Sequence, residues 1–277
     1  MSAMVDQLCC ALRRQGCQPE VLRTQGTGDA TRFAARASEE TRAVVVVGGD
    51  GTVREAAEGL VGKGIPLVVL PAGTEDVLAK HLGFRCDARC AAQAVLAGRE
   101  EAYDTGVCGP RKFLLMIGAG FDGEVARRLS ASRRGHVSYR TWTKHGLTVF
   151  WRYRFPPLKV EIEGRQVFQG PGMAWAGIIP RYALGARLLH RARTDDELLD
   201  VCILPCESRM RVLRYAGRLL FRLPLRGPGI QYHQCRLVRI SSADDSVVHF
   251  QIDGDYGGTL PVECTVIGAG VRFLRPS

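Results

Sequence analysis

Residues 43–47, Ala-Val-Val-Val-Val, run directly into Gly48-Gly49-Asp50-Gly51-Thr52. The apolar run is too short for a helix and rich in β-branched side chains, so it predicts a buried strand. The glycines end it, and Thr52 with Glu55 three residues on has the spacing of a capping box that opens a helix. Val53, Ala56, Ala57, Leu60 and Val61 then fall on one helical face. Strand, glycine turn and helix together aim backbone N–H groups and a positive helix end into one crevice, which suits phosphate. Neither GxGxxG nor GxxxxGK[ST] is present, so this is not one of the two commonest nucleotide motifs. A glycine turn after a buried strand also serves as a plain βα connection. Asp50 among the glycines favours the phosphate reading, because an acid beside such a cradle is suited to holding Mg2+.

A second unit of the same design follows at once. Residues 65–70 are apolar, Pro71-Ala72-Gly73 is the turn, and Thr74 is expected to begin a helix that ends before Gly83. Strands alternating with helices up to this point predict a parallel sheet covered on both faces.

GGDGTVREAAEGL followed by PLVVLPAGTEDVLAKHLG resembles the diacylglycerol kinase catalytic family, which includes sphingosine and ceramide kinases and bacterial lipid kinases. GGDGT alone is shared with NAD kinases and phosphofructokinases; both motifs at this separation favour the lipid branch. Further along, Gly120-Phe121-Asp122 resembles the family's GFDA segment. Asp195, Asp196 and Asp200 stand at the acidic positions of its DDGxLD block, with Glu197 in place of the glycine. Asp253-Gly254-Asp255 stands in for its late DGE, although Asp-Gly is also a hairpin signal. Three departures fall on the nucleotide side: Arg54 for the Asn of GGDGTxNE, Asp76 for the Asn of GTEN, and Val77 where other members carry Asp. The family's opening strand with its Asn-Pro-x-Ser-Gly turn is not matched, which leaves open a truncated start or a reduced nucleotide site.

The resemblance implies an α/β protein with an N-terminal Rossmann-like parallel α/β domain and a C-terminal β-rich, sandwich-like domain. The expected limits are 1–107 and 108–277, with the last strands returning to the first domain. It implies an ATP- and Mg2+-dependent lipid kinase of phospholipid metabolism, acting on a diacylglycerol-like or sphingoid-like hydroxyl presented at a membrane surface. By the resemblance, ATP phosphates lie on the amides of Gly48, Gly49, Asp50, Gly51 and Thr52, and Gly73, Thr74 and Glu75 close the other side. Asp50 reaches Mg2+, Asp253 accepts the proton of the acceptor hydroxyl, and Asp255 supports metal or nucleotide. Asp195, Asp196 and Asp200 are candidates for a structural Mg2+, or form a solvated acidic loop. Reacting groups on two domains would make closure part of the mechanism. Two other readings stay open, a non-catalytic nucleotide- or lipid-binding pseudokinase and an NAD-kinase-like enzyme.

Composition narrows the setting. At 277 residues the chain has room for two domains, and 46% hydrophobic with 24% charged residues is ordinary globular usage. No run reaches the ~18 apolar residues of a membrane span, so a cytoplasmic protein, peripheral at the membrane, is the expectation. A net charge of +10 suits an anionic nucleotide or an anionic membrane; nucleic acid is not expected from the motifs, and a homodimer is an open state. The ten cysteines include no CxxC. Cys86/Cys90, near His81, and Cys202/Cys206 are four apart, and they are taken as thiols rather than zinc ligands.

Outside the motifs, Val5, Leu8 and Leu12 predict a helix closed by Gly16. A short strand near Val21 and helices over 29–37 and 87–97 follow. Strands at 103–107 and 112–117 flank Gly109-Pro110, where the domain boundary is placed at 106–109. A helix over 137–153 and a hairpin turning at Gly164-Arg165 come next. Residues 207–223 read as a basic amphipathic helix: Arg211, Arg214, Arg218 and Arg222 form a solvated face, and Met210, Leu213 and Leu220 lie on another, with a lipid-facing role as the alternative. Short strands at 236–240, 247–252, 262–267 and 271–274 complete the chain.

Overall fold

The computed structural model describes residues 2–132, 139–182 and 185–276. It divides into two compact units, Met1–Tyr103 with Ala269–Ser277, and Asp104–Gly268. The first unit runs α1 (Ser2–Arg13), α2 (Asp29–Ala35), β1 (Val44–Gly48), α3 (Asp50–Leu60), β2 (Leu67–Pro71), α4 (Val77–Leu82) and α5 (Ala88–Ala97), then enters β3 (Arg99–Cys108). β1 and β2 pair in parallel from Val44↔Leu67 to Gly48↔Pro71, which sets the two glycine turns at the same end of the sheet. All five residues of β2 are buried, as a strand covered on both faces requires. Burial of side chains such as Leu67 and Leu70 contributes about 1.5–3 kcal/mol each.

The second unit begins within β3 and continues with β4 (Arg111–Phe113), β5 (Met116–Ala119), α6 (Phe121–Ser132), α7 (Tyr139–Arg152), β6 (Pro157–Ile162), β7 (Arg165–Gly177), β8 (Leu199–Pro205), α8 (Arg209–Leu220), β9 (Gln231–Cys235), β10 (Leu237–Ser242), β11 (His249–Ile252), β12 (Asp255–Thr259) and β13 (Val262–Arg275). Its strands are antiparallel and form two sheets joined by β7. The first half of β7 pairs with β6, and its second half pairs with β5 and β8. The exchange falls at Gly170-Pro171-Gly172, where Gly170 has φ +148 and a Cβ on Gly172 would lie 3.1 Å from the Leu204 carbonyl. A strand that changes sheets needs such a bend. β13 pairs with β10 through residues 262–265 and with β2 at Phe273↔Leu67, so this strand carries the chain back to the first unit.

Several elements differ from expectation. No strand forms near Val21, which is exposed with Leu22, since a two-residue apolar stretch finds no ladder partner there. α3 starts at Asp50 rather than Thr52, capped by the extended Gly49 without a side-chain bond. Glu55 does not close a capping box; its carboxylate accepts from the Gly28 amide at 3.0 Å and secures the start of α2. α4 begins three residues after Thr74, because Asp76 sits in the left-handed region at φ 47. The hairpin between β6 and β7 turns on Glu163-Gly164, with φ 48 and 76, since a two-residue turn of this hand requires positive φ at both positions. The two compact units divide at Tyr103/Asp104, inside a continuous β3, a few residues before the 106–109 stretch, and Gly109-Pro110 forms the β3–β4 turn. The expected helix at 137–153 is described from Tyr139; Val137 lies outside the described residues. The last third holds an extra strand, β12, and the two final segments are one strand, β13.

Candidate functional site

The two glycine turns abut. A Cβ on Gly49 would lie 3.2 Å from the Gly73 Cα, and a Cβ on Gly73 would lie 2.7 Å from the Gly49 Cα, so neither position admits a side chain without displacing the other backbone. The parallel register of β1 and β2 produces this approach, with the Ala72 amide donating to the Gly48 carbonyl at 3.1 Å. Thr52 folds over Gly48, where a Cβ would meet its side chain at 3.0 Å. Asp50 and Gly51 occupy the first turn of α3, so their amides have no acceptor within the helix. A backbone surface of this kind binds oxyanions.

Asp50 does more than sit beside the cradle. Its two carboxylate oxygens accept from the amides of Val77 and Leu78 at 2.9 and 3.0 Å, which caps α4 from 27–28 residues away. Burial pushes the Asp50 carboxyl above its ordinary value; the two amides pull the other way, and Asp76 and Glu75 add repulsion. Asp76, noted in the sequence only as a departure, has a definite position. Its carboxylate accepts from the Gly73 amide at 3.0 and 3.1 Å, so the amide expected to face phosphate is held by an internal anion. Thr74 is exposed, and Glu75 lies 4.0 Å from Lys80. Arg54 is buried on α3, 4.0 Å from Glu58.

In the second unit, Asp253-Gly254 forms the two-residue turn between β11 and β12, with φ 49 and 87. The hairpin signal in Asp-Gly is thus realised. The Asp253 carboxylate accepts from the amides of Leu114, Leu115 and Met116 at 2.8–2.9 Å, tying the turn to the entrance of β5. Asp255 opens β12 opposite Ile252 and is half-buried. Asp122, at the start of α6, is buried and accepts from Trp175 Nε1 at 3.1 Å and Tyr182 Oη at 2.5 Å; burial raises its carboxyl.

The three remaining acids lie near one another, with Asp195 repelling Asp196 and Asp196 repelling Asp200. Asp195 pairs with Arg193 at 3.1 Å, while Asp196 accepts from the Leu198 amide and shares Gln234 with Asp200. Among the described residues no three His, Cys, Asp or Glu side chains are arranged to hold a metal ion, so the expected trio is not a preformed ligand set. All ten cysteines are free thiols. Glu197 shows why its position suits glycine: its φ is 57, and its amide is held by Asp104.

Burial pushes Asp200 up to about 6. Its folded value exceeds the ordinary one, so the folded chain binds this proton more tightly. Stability from that proton is full below the ordinary carboxylate range and is lost as pH rises through the raised value. Asp200→Asn is therefore expected to melt at a higher temperature than the native chain at about pH 8, with the gap closing near about pH 4. Melting curves across that range check it, and a gap that does not change with pH would assign Asp200 another role.

Sequence reasoning missed a second polar cluster. A cavity of about 250 Å³ is lined by Glu124, Arg128, Val149, Tyr153 and His249, among others. Glu124 pairs with Arg127 at 2.7 Å and Arg128 at 2.9 Å and lies 3.6 Å from His249. Burial raises Glu124, yet the two arginines outweigh it and hold the carboxyl below its usual value. The Tyr153 hydroxyl is buried with no hydrogen-bond partner among the described residues. The i, i+3 and i+4 spacing of Glu124, Arg127 and Arg128 was the available signal, but its link to His249 is not visible in sequence.

Residues 2–108 match the Diacylglycerol kinase catalytic domain, and residues 115–275 match the YegS C-terminal NAD kinase beta sandwich-like domain. A diacylglycerol kinase of Mycobacterium tuberculosis is 29% identical over 253 residues, covering 88% of this chain and 80% of that protein. One from Staphylococcus carnosus is 26% identical over 278 residues, covering 99% and 90%. A crystal structure of a diacylglycerol kinase from Bacillus anthracis superposes with a TM-score of 0.78 at 18% identity, over 99% of this chain and 91% of that one, which shows the shared fold. With abutting glycine turns in the first unit and a two-sheet second unit, matched by both domain types in order, the chain belongs to the diacylglycerol kinase family.

Proposed function

We propose that the protein is an ATP-dependent lipid kinase that phosphorylates the hydroxyl of a diacylglycerol-like or sphingoid-like lipid. The single observation that carries this is the contact between Gly49 and Gly73, which leaves a side-chain-free backbone surface at the head of two strands. The residues suited to the nucleotide are Gly48, Gly49, Gly51 and Thr52 for phosphate, and Asp50 and Asp76 as hard oxygen donors for a divalent ion. ATP supplies the phosphoryl group, and Mg2+ neutralises phosphate charge. In the transfer the acceptor oxygen gains a bond to phosphorus, the bond from phosphorus to the ADP oxygen breaks, and the hydroxyl proton passes to a carboxylate. Asp253 was the first expectation for that proton. Its oxygens already accept three amides, so we assign the proton to Asp255 and the positioning of the turn to Asp253. The cavity beside Tyr153 is a candidate for the acceptor's polar part, since a buried hydroxyl without a partner among the described residues gains a bond when a ligand enters.

A pseudokinase reading is favoured by one fact, the Asp76 carboxylate on the Gly73 amide. Two measurements separate the readings. Stabilisation of melting by millimolar ATP with Mg2+, followed by labelled phosphate appearing in diacylglycerol, is the expected result. Stabilisation without transfer to any lipid supports the pseudokinase, and transfer to NAD overturns the lipid assignment.

A further inference from the structure

We infer that the outward face of α8, continued by Trp151 and Leu147 of α7, is a surface that docks the second unit onto an anionic lipid bilayer. Helical spacing resolves α8 into three faces. Val212 and Tyr215 are buried, with Leu219 half-buried beside them, so this is the inward face. Met210, Leu213 and Leu220 lie opposite, joined by Phe221 just past the helix end, and they are exposed by 72%, 50%, 67% and 75%. The arginines flank this ridge. Of the two readings of this helix, a packed helix with a solvated Arg face and a lipid-facing role, the exposure of Met210, Leu213 and Leu220 favours the second.

Single exposed apolar residues are common on protein surfaces, but a ridge of three large ones on one helix, extended by a fourth at its end, is not. The ridge is also fixed in place. Arg209 donates from Nε and Nη2 to the carbonyls of Phe150 and Trp151 at 3.1 and 2.6 Å, and its guanidinium lies 5.9 Å from the Trp151 ring centre. That clamp joins α8 to the end of α7, where Trp151 is 62% exposed and Leu147, one turn earlier, is 58% exposed. Tryptophan at the edge of such a ridge suits the headgroup level of a membrane, where an indole is partly wet.

Charge selects the occupant. Residues 208–230 contain six arginines, Arg209, Arg211, Arg214, Arg218, Arg222 and Arg226, and no aspartate or glutamate. Among the described residues none of the six pairs with a carboxylate within 4 Å, and Arg211 and Arg218 are steadied by the carbonyls of Pro205 and Pro224. An apolar ridge bordered by cations is the pattern of a helix lying in the plane of an anionic interface. A second copy of the chain fits less well, because pairing two such ridges brings like charges together. Docking is deduced from the surface alone, so its test needs no nucleotide and no turnover, and it can succeed or fail independently of the kinase reading.

The experiment is co-sedimentation of the full chain with vesicles of phosphatidylcholine alone or of equal parts phosphatidylcholine and phosphatidylglycerol. Strong partition to the anionic vesicles is expected, with little to the neutral ones. Leu213→Glu and Leu220→Glu should each lower it about tenfold. Arg214→Ala should lower it about fivefold on anionic vesicles only. All three positions are on the exposed flank or ridge, and an unchanged melting temperature verifies the fold of each variant. Failure of the native chain to bind either vesicle overturns the inference. So does equal binding by the Leu213→Glu variant, or a stable dimer that this variant dissociates while vesicle binding is absent.

Discussion

Replacing Asp50 with asparagine is expected to lower phosphoryl transfer by at least about a hundredfold, the scale seen when one charged group is removed from developing phosphate or oxyanion charge. The same change weakens the fold locally. Both Asp50 oxygens accept amides from the first turn of α4, and asparagine presents a donor where one of them was. Loss of one charge-assisted bond and the opposed N–H groups cost about 2 kcal/mol. Measuring turnover and the urea midpoint together separates the two contributions. A midpoint lowered by that amount with turnover unchanged would leave Asp50 as a cap and nothing more. Turnover lost beyond what the unfolded fraction explains assigns it to the nucleotide.

The second large effect concerns Asp253. Alanine there removes three acceptor bonds at once and leaves the Leu114, Leu115 and Met116 amides without partners among buried side chains. Unmet donors of this kind cost about 1–3 kcal/mol each, so a loss of about 4 kcal/mol is expected after partial relaxation. Against a total stability of about 5–15 kcal/mol this brings the variant near unfolding. Hydrogen exchange at those three amides is the local readout, and the urea midpoint is the global one. Asp255→Asn, in contrast, should slow transfer while the midpoint holds. Should Asp253→Asn leave exchange and midpoint untouched yet abolish the chemical step, the two roles are reversed.

These two aspartates show what a sequence discloses. The strand at 44–48, its glycine turn, the fully apolar β2 and the Asp253-Gly254 bend were legible because their signals are local: short apolar runs, breakers, and a dipeptide that tolerates positive φ. What Asp50 and Asp253 hold was not legible. Their partners lie 27–28 and 137–139 residues away, and no periodicity reports a carboxylate meeting distant amides. Glu55 misled for the same reason, since its spacing from Thr52 is that of a capping box and Gly28 supplies the amide instead. On α8 the difficulty was different. Apolar residues occupy both the inward and outward faces, so a hydrophobic stripe could be found without revealing which one packs.

The passage of β13 from one unit into the other governs the order of folding. The second unit is an unbroken stretch and can close on itself, but the first cannot finish its sheet until Phe273 reaches Leu67 and stacks edge-on against Tyr103 at 5.1 Å. A nascent chain emerging N-terminus first therefore carries its glycine cradle on an unfinished scaffold while some two hundred further residues are synthesised. Ligand affinity should appear late, as the final strand zips in, and a holdase guarding the early segment would have its work set by that delay.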